Sequence, residues 1–300
     1  MKPIFFFPFA LLLMLSLAPA QARDLPEIQR DGVLRHLGIP YAHFVASYQT
    51  VNGEVAQGLD VDLMRGFARH IGVEYQYVPA TWHTVLGLLT GQAAQMIGER
   101  PVLGGPVAIE GDIIANGMTI LPGREHLVAF SRPYFPSAVW LVARSDSEMQ
   151  PIEPSGDTLR DIEAVKAVMA HRTVLAMKSS CLDPNLYQLD QTKAEVILPK
   201  QERLLNEMVP AILNRDAEST LLDVPDTLVA LEKWPGEIKV IGPVSGMQEM
   251  GVAFRHNSPL LREAFNHYLA ELIADGSFLK LAEKHFPTVF FFFPEFFEAL

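Results

Sequence analysis

Strand-like and helix-like segments alternate along most of this chain, and that alternation is the feature that most restricts its fold. Short runs rich in apolar and β-branched residues, such as residues 33–39 and 74–78, are followed by segments whose apolar residues recur at helical spacing. This order is typical of α/β domains with mostly parallel sheets. The pattern appears once before a polar stretch at residues 144–157 and again after it. It therefore predicts two α/β units.

Three helical stripes are clear enough to place helices in this pattern. One follows Asp60, a residue that can cap a helix, and a second follows Thr81 in the same way. The third and clearest spans residues 260–273 and ends before Gly276. All three have the spacing of core-facing helices, so we assign no ligand role to their apolar residues.

The second unit has its own set of predicted strands and a helical stripe. The strands are residues 173–177, 195–198, 220–222 and 238–241, and the stripe covers residues 204–213. Residues 138–143 form a strand just before the polar stretch, and residues 251–254 form one before the last long helix. The two units therefore have similar element patterns.

Residues 92–110 interrupt the alternation of strands and helices. The stretch contains Pro101, Gly104, Gly105 and Pro106, and its apolar residues show no clear period. Loops of this length are unusual inside compact domains, so we interpret the stretch as an inserted surface loop that is either functional or simply tolerated.

The first 22 residues have the pattern of a secretory signal peptide. Lys2 supplies the positive start, residues 4–17 form an apolar run, and small residues around Ala20 and Ala22 offer a cleavage site. We predict cleavage after Ala22 and a periplasmic location for the mature protein. An uncleaved membrane anchor is the alternative, although the run is short for a bilayer span and contains Pro8.

Charge and cysteine content narrow the classes of function. A formal net charge of −11 disfavours nucleic acid as a partner. The only cysteine, Cys181, excludes an intramolecular disulfide, and no cysteine follows the apolar run to carry a lipid. The chain has no H-E-x-x-H motif and no G-x-S-x-G nucleophile elbow. The sequence therefore predicts no metal site and no cofactor.

A buried strand predicted at residues 112–115 leads into the stretch most suggestive of a ligand site. Asn116, Gly117 and Thr119 follow it as small polar residues, and Arg124 comes five residues after the threonine. A glycine lets backbone approach a ligand, a hydroxyl and amides donate hydrogen bonds, and a guanidinium can bind both oxygens of a carboxylate. This order suits the capture of a carboxylate, although the spacing alone also fits a strand and turn without a ligand.

Several motifs together resemble the family 3 extracellular solute-binding proteins, the periplasmic receptors that deliver polar amino acids and similar solutes to ABC importers. The matching segments are residues 32–35, 58–63, 117–124, 130–134, 251–254 and 275–278. Each segment is weak alone, but their order and spacing over nearly the whole mature chain are specific.

The resemblance implies an α/β periplasmic-binding-protein type II fold, with two α/β lobes, two crossing hinge strands and a ligand cleft between the lobes. Lobe 1 would combine residues 30–143 and 249–300, and lobe 2 would comprise residues 144–248. The second hinge would lie near residues 244–251. Such lobes close around a solute by a hinge motion. The resemblance also implies a monomer that serves an ABC permease in the inner membrane.

The family's carboxylate-binding contacts fall on the first lobe of this chain. Arg124 stands where the family's carboxylate-binding arginine stands, and Gly117 and Thr119 stand where backbone and hydroxyl donors help it. Asn116 belongs to the same predicted turn. The resemblance therefore implies that this turn holds the acid group of the solute.

The family's remaining contacts fall on the second lobe and on one aromatic residue. Ser179, Ser180 and Cys181 stand where the family offers amides and hydroxyls to the same carboxylate. Asp223 matches the aspartate that receives the ammonium group of an amino acid, and Tyr41 matches an aromatic residue that lines the pocket. A cation and an anion on opposite lobes would recognise a zwitterion.

Three departures from the family pattern bear on the identity of the solute. Gly38 occupies a place where many amino-acid receptors carry an acidic residue, and Leu59 replaces an aromatic residue that stacks over the ligand. The turn at residues 178–181 lacks the glycine that is common there. The sequence therefore supports the carboxylate half of the site better than the amino-acid half.

Two alternatives to a transport receptor stay open. Some proteins of this fold are dehydratases, which would need a carboxylic acid in the cleft to protonate a leaving group. The pattern also resembles the non-catalytic solute-binding domain of membrane-bound lytic transglycosylases, and the chain is expected to end where their catalytic domain would begin. A sensory or accessory role would follow from that second resemblance. Our prediction is a receptor that is not an enzyme and has no catalytic residues.

The tail at residues 289–300 is strongly aromatic and contains Pro294. It is too short to cross a bilayer. Packing against the protein's own surface is one interpretation, and docking to a partner or a membrane surface is the other.

Overall fold

The computed structural model describes residues 22–51, 53–200 and 203–300. The predicted signal peptide lies outside these ranges except for Ala22. Asn52, which together with Gly53 forms a turn signal in the sequence, also lies outside them. Within the described ranges, no helix combines the length and the apolarity that crossing a bilayer requires.

Helices occur along the whole described part of the chain. The α-helices are α1 (Leu25–Asp31), α2 (Leu59–His70), α3 (Val85–Thr90), α4 (Pro122–Glu125), α5 (Thr158–Val168), α6 (Met208–Leu213), α7 (Val224–Lys233), α8 (Pro259–Ala274), α9 (Ser277–His285), α10 (Val289–Phe292) and α11 (Pro294–Glu298). Short 3-10 helices span Pro184–Tyr187, Leu189–Gln191 and Leu205–Glu207.

The strands are mostly short. They are β1 (Val33–Gly38), β2 (Ala46–Thr50), β3 (Gly53–Gln57), β4 (Glu74–Pro79), β5 (Gln92–Ile97), β6 (Arg100–Pro106), β7 (Ile113–Ile114), β8 (Ala129–Phe130), β9 (Phe135–Ser137), β10 (Val139–Arg144), β11 (Thr173–Leu175), β12 (Glu195–Ile197), β13 (Ser219–Asp223), β14 (Ile238–Pro243), β15 (Gln248–Met250) and β16 (Ala253–Phe254).

The first lobe is built on a five-stranded sheet in the order β4-β1-β7-β16-β8. Strand β1 pairs in parallel with β4 and β7, while β16 pairs antiparallel with β7 and β8. Helix α2 connects the chain toward β4 and buries the apolar stripe that includes Leu63, Met64 and Phe67. The predicted alternation of strands and helices is confirmed in this lobe.

The predicted starts of the first two helices are wrong. Gly58 is the N-cap of α2, and Asp60 lies within the first turn of that helix with its side chain buried. Helix α3 begins at Val85, and Thr81 lies in the turn that precedes it. In both cases the side chain of the polar residue forms other hydrogen bonds and does not cap the helix. The helical spacing of the apolar residues alone does not reveal this.

The second lobe is built on a five-stranded sheet in the order β12-β11-β13-β10-β14. Strand β11 pairs in parallel with β12 and β13, and β10 pairs antiparallel with β13 and β14. The four strands that the sequence predicts for this unit are all present. Strand β10 also belongs to this sheet, while the lobe boundaries at residues 143 and 249 stay predictions.

Two strands connect the lobes side by side. Strand β9 lies between β8 of the first sheet and β10 of the second, and β15 lies between β14 of the second sheet and β16 of the first. The two pair antiparallel, with Gln248 opposite Ser137 and Met250 opposite Phe135. The chain therefore passes between the lobes twice at one place, which is an arrangement suited to a hinge.

The prediction of an inserted loop at residues 92–110 is wrong. Strands β5 and β6 pair there as an antiparallel hairpin, with Ile97 opposite Arg100 and Gln95 opposite Val102. Almost all residues of β6 are exposed, so its side chains show no alternation between buried and exposed positions. Because an edge strand tolerates proline, Pro101 and Pro106 do not prevent the pairing.

The aromatic tail packs against the protein's own surface. Phe296 and Phe297 of α11 are buried, and the ring of Phe297 lies 5.9 Å from that of Phe135 in β9. The ring of Phe292 lies 5.5 Å from that of Trp140 in β10. The end of the chain therefore lies on the strands where the two lobes join.

Candidate functional site

Arg124 lies buried in the short helix α4, against residues of both lobes. Its side chain is 2% exposed, and one Nη donates a hydrogen bond to the backbone oxygen of Thr119 at 2.8 Å. The guanidinium lies 5.5 Å from the ring centroid of Trp82, in the first lobe. Burial lowers the pKa of Arg124, and the nearby Cys181 and Tyr187, both in the second lobe, act against that shift. A cation is thus kept away from water at the junction of the lobes, at a cost in solvation.

The turn that precedes α4 places its polar groups differently from the prediction. Asn116 is fully buried, and neither atom of its side-chain amide has a hydrogen-bond partner in the described part of the chain. The Gly117 amide donates to the Asp60 carboxylate at 2.6 Å. Thr119 is 1% exposed and forms a backbone bridge to Met250. Of the two predicted backbone and hydroxyl donors, the Gly117 amide is therefore already occupied.

Asp60 is a buried carboxyl group of this site that was not predicted from the sequence. Both of its oxygens lie 2.8 Å from the hydroxyl of Tyr134, and one also accepts the Gly117 amide. Burial raises the pKa of Asp60 to about 7, against the lowering effect of these hydrogen bonds. The residue that seemed suited to cap a helix instead fixes the turn that leads to Arg124. Its position in the family-like segment 58–63 is the only sequence signal for this role.

Gly117 is the position in this turn where a side chain would be least tolerated. Its φ is +61°, and an added Cβ would lie 2.5 Å from a ring carbon of Phe44. We expect Gly117→Ala to lower the free energy of unfolding by about 2 kcal/mol, because strain in the backbone adds to the overlap with the ring. Urea denaturation measures this change.

Gly72→Ala is the matched control for that substitution. Gly72 has a φ of +77°, but an added Cβ would meet no atom within 4 Å. This variant should therefore lose only the conformational part, about 1 kcal/mol. Equal losses in the two variants would contradict the contact between Gly117 and Phe44.

Asp223 stands at the end of β13 in the second lobe and has two roles. One carboxylate oxygen accepts the Asp226 amide at 3.0 Å and so caps helix α7. The other accepts hydrogen bonds from the Tyr41 hydroxyl and, at 3.3 Å, from the Cys181 thiol. Burial raises the pKa of Asp223, and these hydrogen bonds act against it. The residue predicted to receive an ammonium group thus also stabilises a helix.

The turn at residues 178–181 uses most of its polar side chains to hold the structure together. The Ser179 hydroxyl donates to the backbone oxygen of Met96, in the first lobe, at 2.8 Å. The Ser180 hydroxyl donates to Met177 O at 2.9 Å and accepts the Leu182 amide at 3.0 Å. The two hydroxyls predicted to bind a ligand therefore stabilise the turn and its contact with the other lobe.

A second contact joins the lobes near the same turn. Asp183 accepts hydrogen bonds from the Gly98 amide of the β5–β6 hairpin and from the Ser179 amide, both at 3.2 Å. Gly98 and Met96 belong to the β5–β6 hairpin, which stands where the sequence predicts a loop. The hairpin therefore closes one side of the junction, and the two lobes are in contact in this structure.

Four of the predicted ligand residues lie together at the junction. Cys181 is 2% exposed and interacts electrostatically with both Asp223 and Arg124, while Tyr41 contacts Asp223 directly. Burial raises the pKa of the Cys181 thiol well above its usual value, and Asp223 raises it further. A neutral thiol thus lies close to both the buried cation and the buried carboxyl group.

Two aromatic residues complete this junction, and neither is among the ligand residues predicted from the sequence. Trp82 has an indole nitrogen without a hydrogen-bond partner among the described residues, and its ring lies 6.2 Å from that of Tyr41. Tyr187 is 5% exposed and donates its hydroxyl hydrogen bond to the backbone oxygen of Cys181. Neither lies in a segment with a recognisable motif, so only the folded chain brings them to the site.

The titratable side chains of the described residues offer no metal site. No group of three or more histidine, cysteine, aspartate or glutamate side chains in the described ranges is arranged to hold a metal ion.

Comparisons with known proteins agree with this architecture. The family model of the bacterial extracellular solute-binding proteins, family 3, matches residues 106–288. A crystal structure of a mutant of ArgBP from T. maritima superposes with a TM-score of 0.67 at 24% sequence identity, covering 88% of this chain and 99% of that one. The amino acid ABC transporter substrate-binding protein AbpA from Streptococcus pneumoniae, bound to L-arginine, also gives 0.67, at 19% identity over 87% of this chain and 98% of that chain.

Two further similarities are to a protein described as the precursor of an enzyme and to a protein named as an enzyme. The structure of an ancestral amino acid-binding protein, described as a precursor of cyclohexadienyl dehydratase, gives a TM-score of 0.65 at 24% identity over 87% of this chain and 98% of that one. A membrane-bound lytic murein transglycosylase F from Desulfosudis oleivorans is 22% identical over 180 residues, which is 60% of this chain. This chain spans only 37% of the length of that relative.

Proposed function

The chain belongs to the bacterial extracellular solute-binding proteins, family 3, and from this premise we propose that it captures a polar amino acid or a related small carboxylate. The observation that carries the proposal is the burial of Arg124 between the lobes. An arginine side chain has five N–H donors, and one hydrogen bond from this guanidinium is found among the described residues. Such a group can bind both oxygens of a carboxylate.

Asp223 supports an amino acid rather than a simple acid as the solute. It lies across the junction from the turn of Arg124, and its oxygen that faces the first lobe contacts Tyr41 and Cys181. An ammonium group would offer stronger, charge-assisted hydrogen bonds to that oxygen than a phenol or a thiol does. The carboxylate of the solute would bind Arg124, and its ammonium group would bind Asp223 in place of the Tyr41 contact.

Entry of the solute requires the lobes to separate. The paired strands β9 and β15 are the candidate hinge, and the contacts of Ser179 with Met96 and of Asp183 with Gly98 would break on opening. A solute that contacts both lobes binds the closed form better than the open form, and it therefore shifts the equilibrium toward closure. We propose that this closed form is the one an ABC permease recognises.

The proposed setting follows the family. Its members are extracellular solute-binding proteins, and a structural relative is named as the substrate-binding protein of an amino acid ABC transporter. We propose that this protein acts as a monomer in the periplasm and serves an importer in the inner membrane. Binding and release would complete its work, with no chemical step.

Calorimetric titration of the purified mature protein tests this proposal. The panel should contain α-amino acids and the 2-hydroxy acids that match them, since each pair differs in the ammonium group alone. We expect the amino acids to bind. Asp223→Asn should weaken their binding by about 2 kcal/mol and leave the hydroxy acids nearly unchanged. Asparagine still caps a helix, so this variant should fold normally.

Two outcomes would contradict the proposal. Failure of every compound in the panel to bind would exclude a small carboxylate receptor. Turnover of a cyclohexadienyl dehydratase substrate by the purified protein would replace the binding-only role with an enzyme, as the ancestral relative makes conceivable.

A sensory or accessory protein is the second candidate, and the transglycosylase relative favours it. Such a protein would recognise a product of cell-wall turnover. Muropeptides, added to the same titrations, distinguish the two roles. Binding of muropeptides without binding of free amino acids would support the accessory role.

A further inference from the structure

A cavity of about 400 Å³ lies between the lobes beside the buried site. Trp82 and His83 line it from the first lobe, and Lys178, Ser179, Lys200 and Arg203 are among the residues that line it from the second. We propose that this cavity receives a second anionic group of the solute, so that the solute is a dicarboxylic amino acid. The inference rests on the proposed function and names the substrate class of the same site.

The charge of the cavity supports an anion. Three cationic side chains line it, and none of its described lining residues is acidic. Arg203 pairs with Asp216 at 2.8 Å, whereas no ion pair of Lys178 or Lys200 is found among the described residues. The chain as a whole has a net charge of −11, so its composition gives no reason to expect a cluster of cations at this place. Such a cluster raises the local concentration of anionic solutes and stabilises them once bound.

Trp82 connects this cavity to the buried arginine. Its ring lies 5.5 Å from the guanidinium of Arg124, and the residue also lines the cavity. A solute whose first carboxylate binds Arg124 would pass Trp82 to reach the cationic space. The indole nitrogen of Trp82 is buried and has no partner among the described residues, so it is available to donate a hydrogen bond to that solute.

Ser179 marks the boundary between the site and the cavity on the opposite side. It lines the cavity, and its hydroxyl bonds to Met96 O across the lobes. The neighbouring Lys178 belongs to the same turn as Cys181, which contacts Asp223. One short turn thus brings the cationic cavity and the carboxyl group predicted to hold the ammonium into a single site.

L-glutamate and L-glutamine are the probes that test this inference. They have the same shape and differ in the charge of the distal group. We expect the wild-type protein to bind glutamate roughly tenfold more tightly than glutamine at low salt, because several cations surround the distal carboxylate. The preference should decrease as the salt concentration rises, since the lysines are exposed to solvent.

A double variant, Lys178→Gln with Lys200→Gln, shows whether these lysines cause the preference. It should bring the affinity for glutamate close to that for glutamine and leave the affinity for glutamine unchanged. Lys280→Gln is the control, because this exposed lysine of α9 does not line the cavity. It should keep the tenfold preference.

The possible outcomes separate the inference from the proposed function. If glutamine binds as well as glutamate does, or if the double variant keeps the preference, the inference is wrong and the receptor role stands. If neither compound nor any other amino acid binds, both are wrong. A preference that disappears in the double variant alone supports both.

Discussion

Arg124→Met is expected to weaken binding of the solute by roughly 2 to 5 kcal/mol, the cost of removing one partner of a buried ion pair. The unliganded protein should nevertheless be at least as stable as the wild type. Burial lowers the pKa of Arg124, which means that its charge is disfavoured where it stands. Replacing a buried charge with an apolar side chain of similar volume is often neutral or stabilising. Loss of binding without loss of stability would be the signature of a residue kept for function.

Two further variants make that result interpretable. Arg124→Lys keeps the charge but cannot bind both carboxylate oxygens in one plane, so it should recover only part of the affinity. Arg132→Met removes an exposed arginine nearby in the chain and should leave binding unchanged. Calorimetry gives the affinities, and thermal unfolding without solute gives the stabilities. A variant at position 124 that binds normally would contradict the proposed site.

Asp60 should make the protein less stable as the pH rises from about 4 to about 7. Its pKa is raised by burial to about 7 from an ordinary value of 3.8, so in this window the folded protein holds a proton that the unfolded chain has released. Stability therefore falls with pH, and the loss is complete above the folded pKa. Three pKa units correspond to a loss on the order of 4 kcal/mol.

Asp60→Asn isolates this effect from the other titrating groups. Asparagine stays neutral and can still accept hydrogen bonds from Tyr134 and Gly117. The difference in unfolding free energy between this variant and the wild type should be small near pH 4.5. It should favour the variant by several kcal/mol at pH 8. Urea denaturation across this range measures it, and a difference that does not change with pH would contradict the prediction.

Asp62, a second carboxylate of the same helix, provides a control because its contribution to stability should change with pH in the opposite direction. Burial tends to raise the pKa of Asp62, but hydrogen bonds from Lys284 and His285 lower it overall. The stability that Asp62 contributes is therefore present above its unfolded pKa and is lost as the pH falls. Asp62→Asn should lose stability near neutral pH, where Asp60→Asn gains it.

The sequence allowed the fold class to be predicted because it depends on patterns that repeat along the chain. The apolar runs at residues 33–39 and 74–78 became β1 and β4, and the stripe at residues 260–273 became α8. The hairpin at residues 92–106 was not predictable in the same way, since β6 is exposed and has no buried face to impose an alternation. Its pairing depends on backbone hydrogen bonds with β5, which leave little trace in side-chain composition.

The candidate site was predictable only in part for a related reason. The segment that carries Arg124 could be recognised by its motif, and that arginine is buried as expected. The partners of polar side chains could not be recognised, because they come from distant segments. Tyr134 donates a hydrogen bond to Asp60, 74 positions away in the sequence, and Tyr41 donates one to Asp223, 182 positions away. Which polar groups are occupied, as at Gly117 and Ser180, is therefore known only from the folded chain.

If the lobes separate as proposed, the aromatic tail at residues 289–300 would respond to that motion. Rings of α10 and α11 lie on Trp140, in β10 of the second sheet, and on Phe135, in the strand β9 that leads into it. If opening separates the ring of Phe292 from that of Trp140, the surroundings of the Trp140 indole would change. Intrinsic fluorescence would report such a separation without a label.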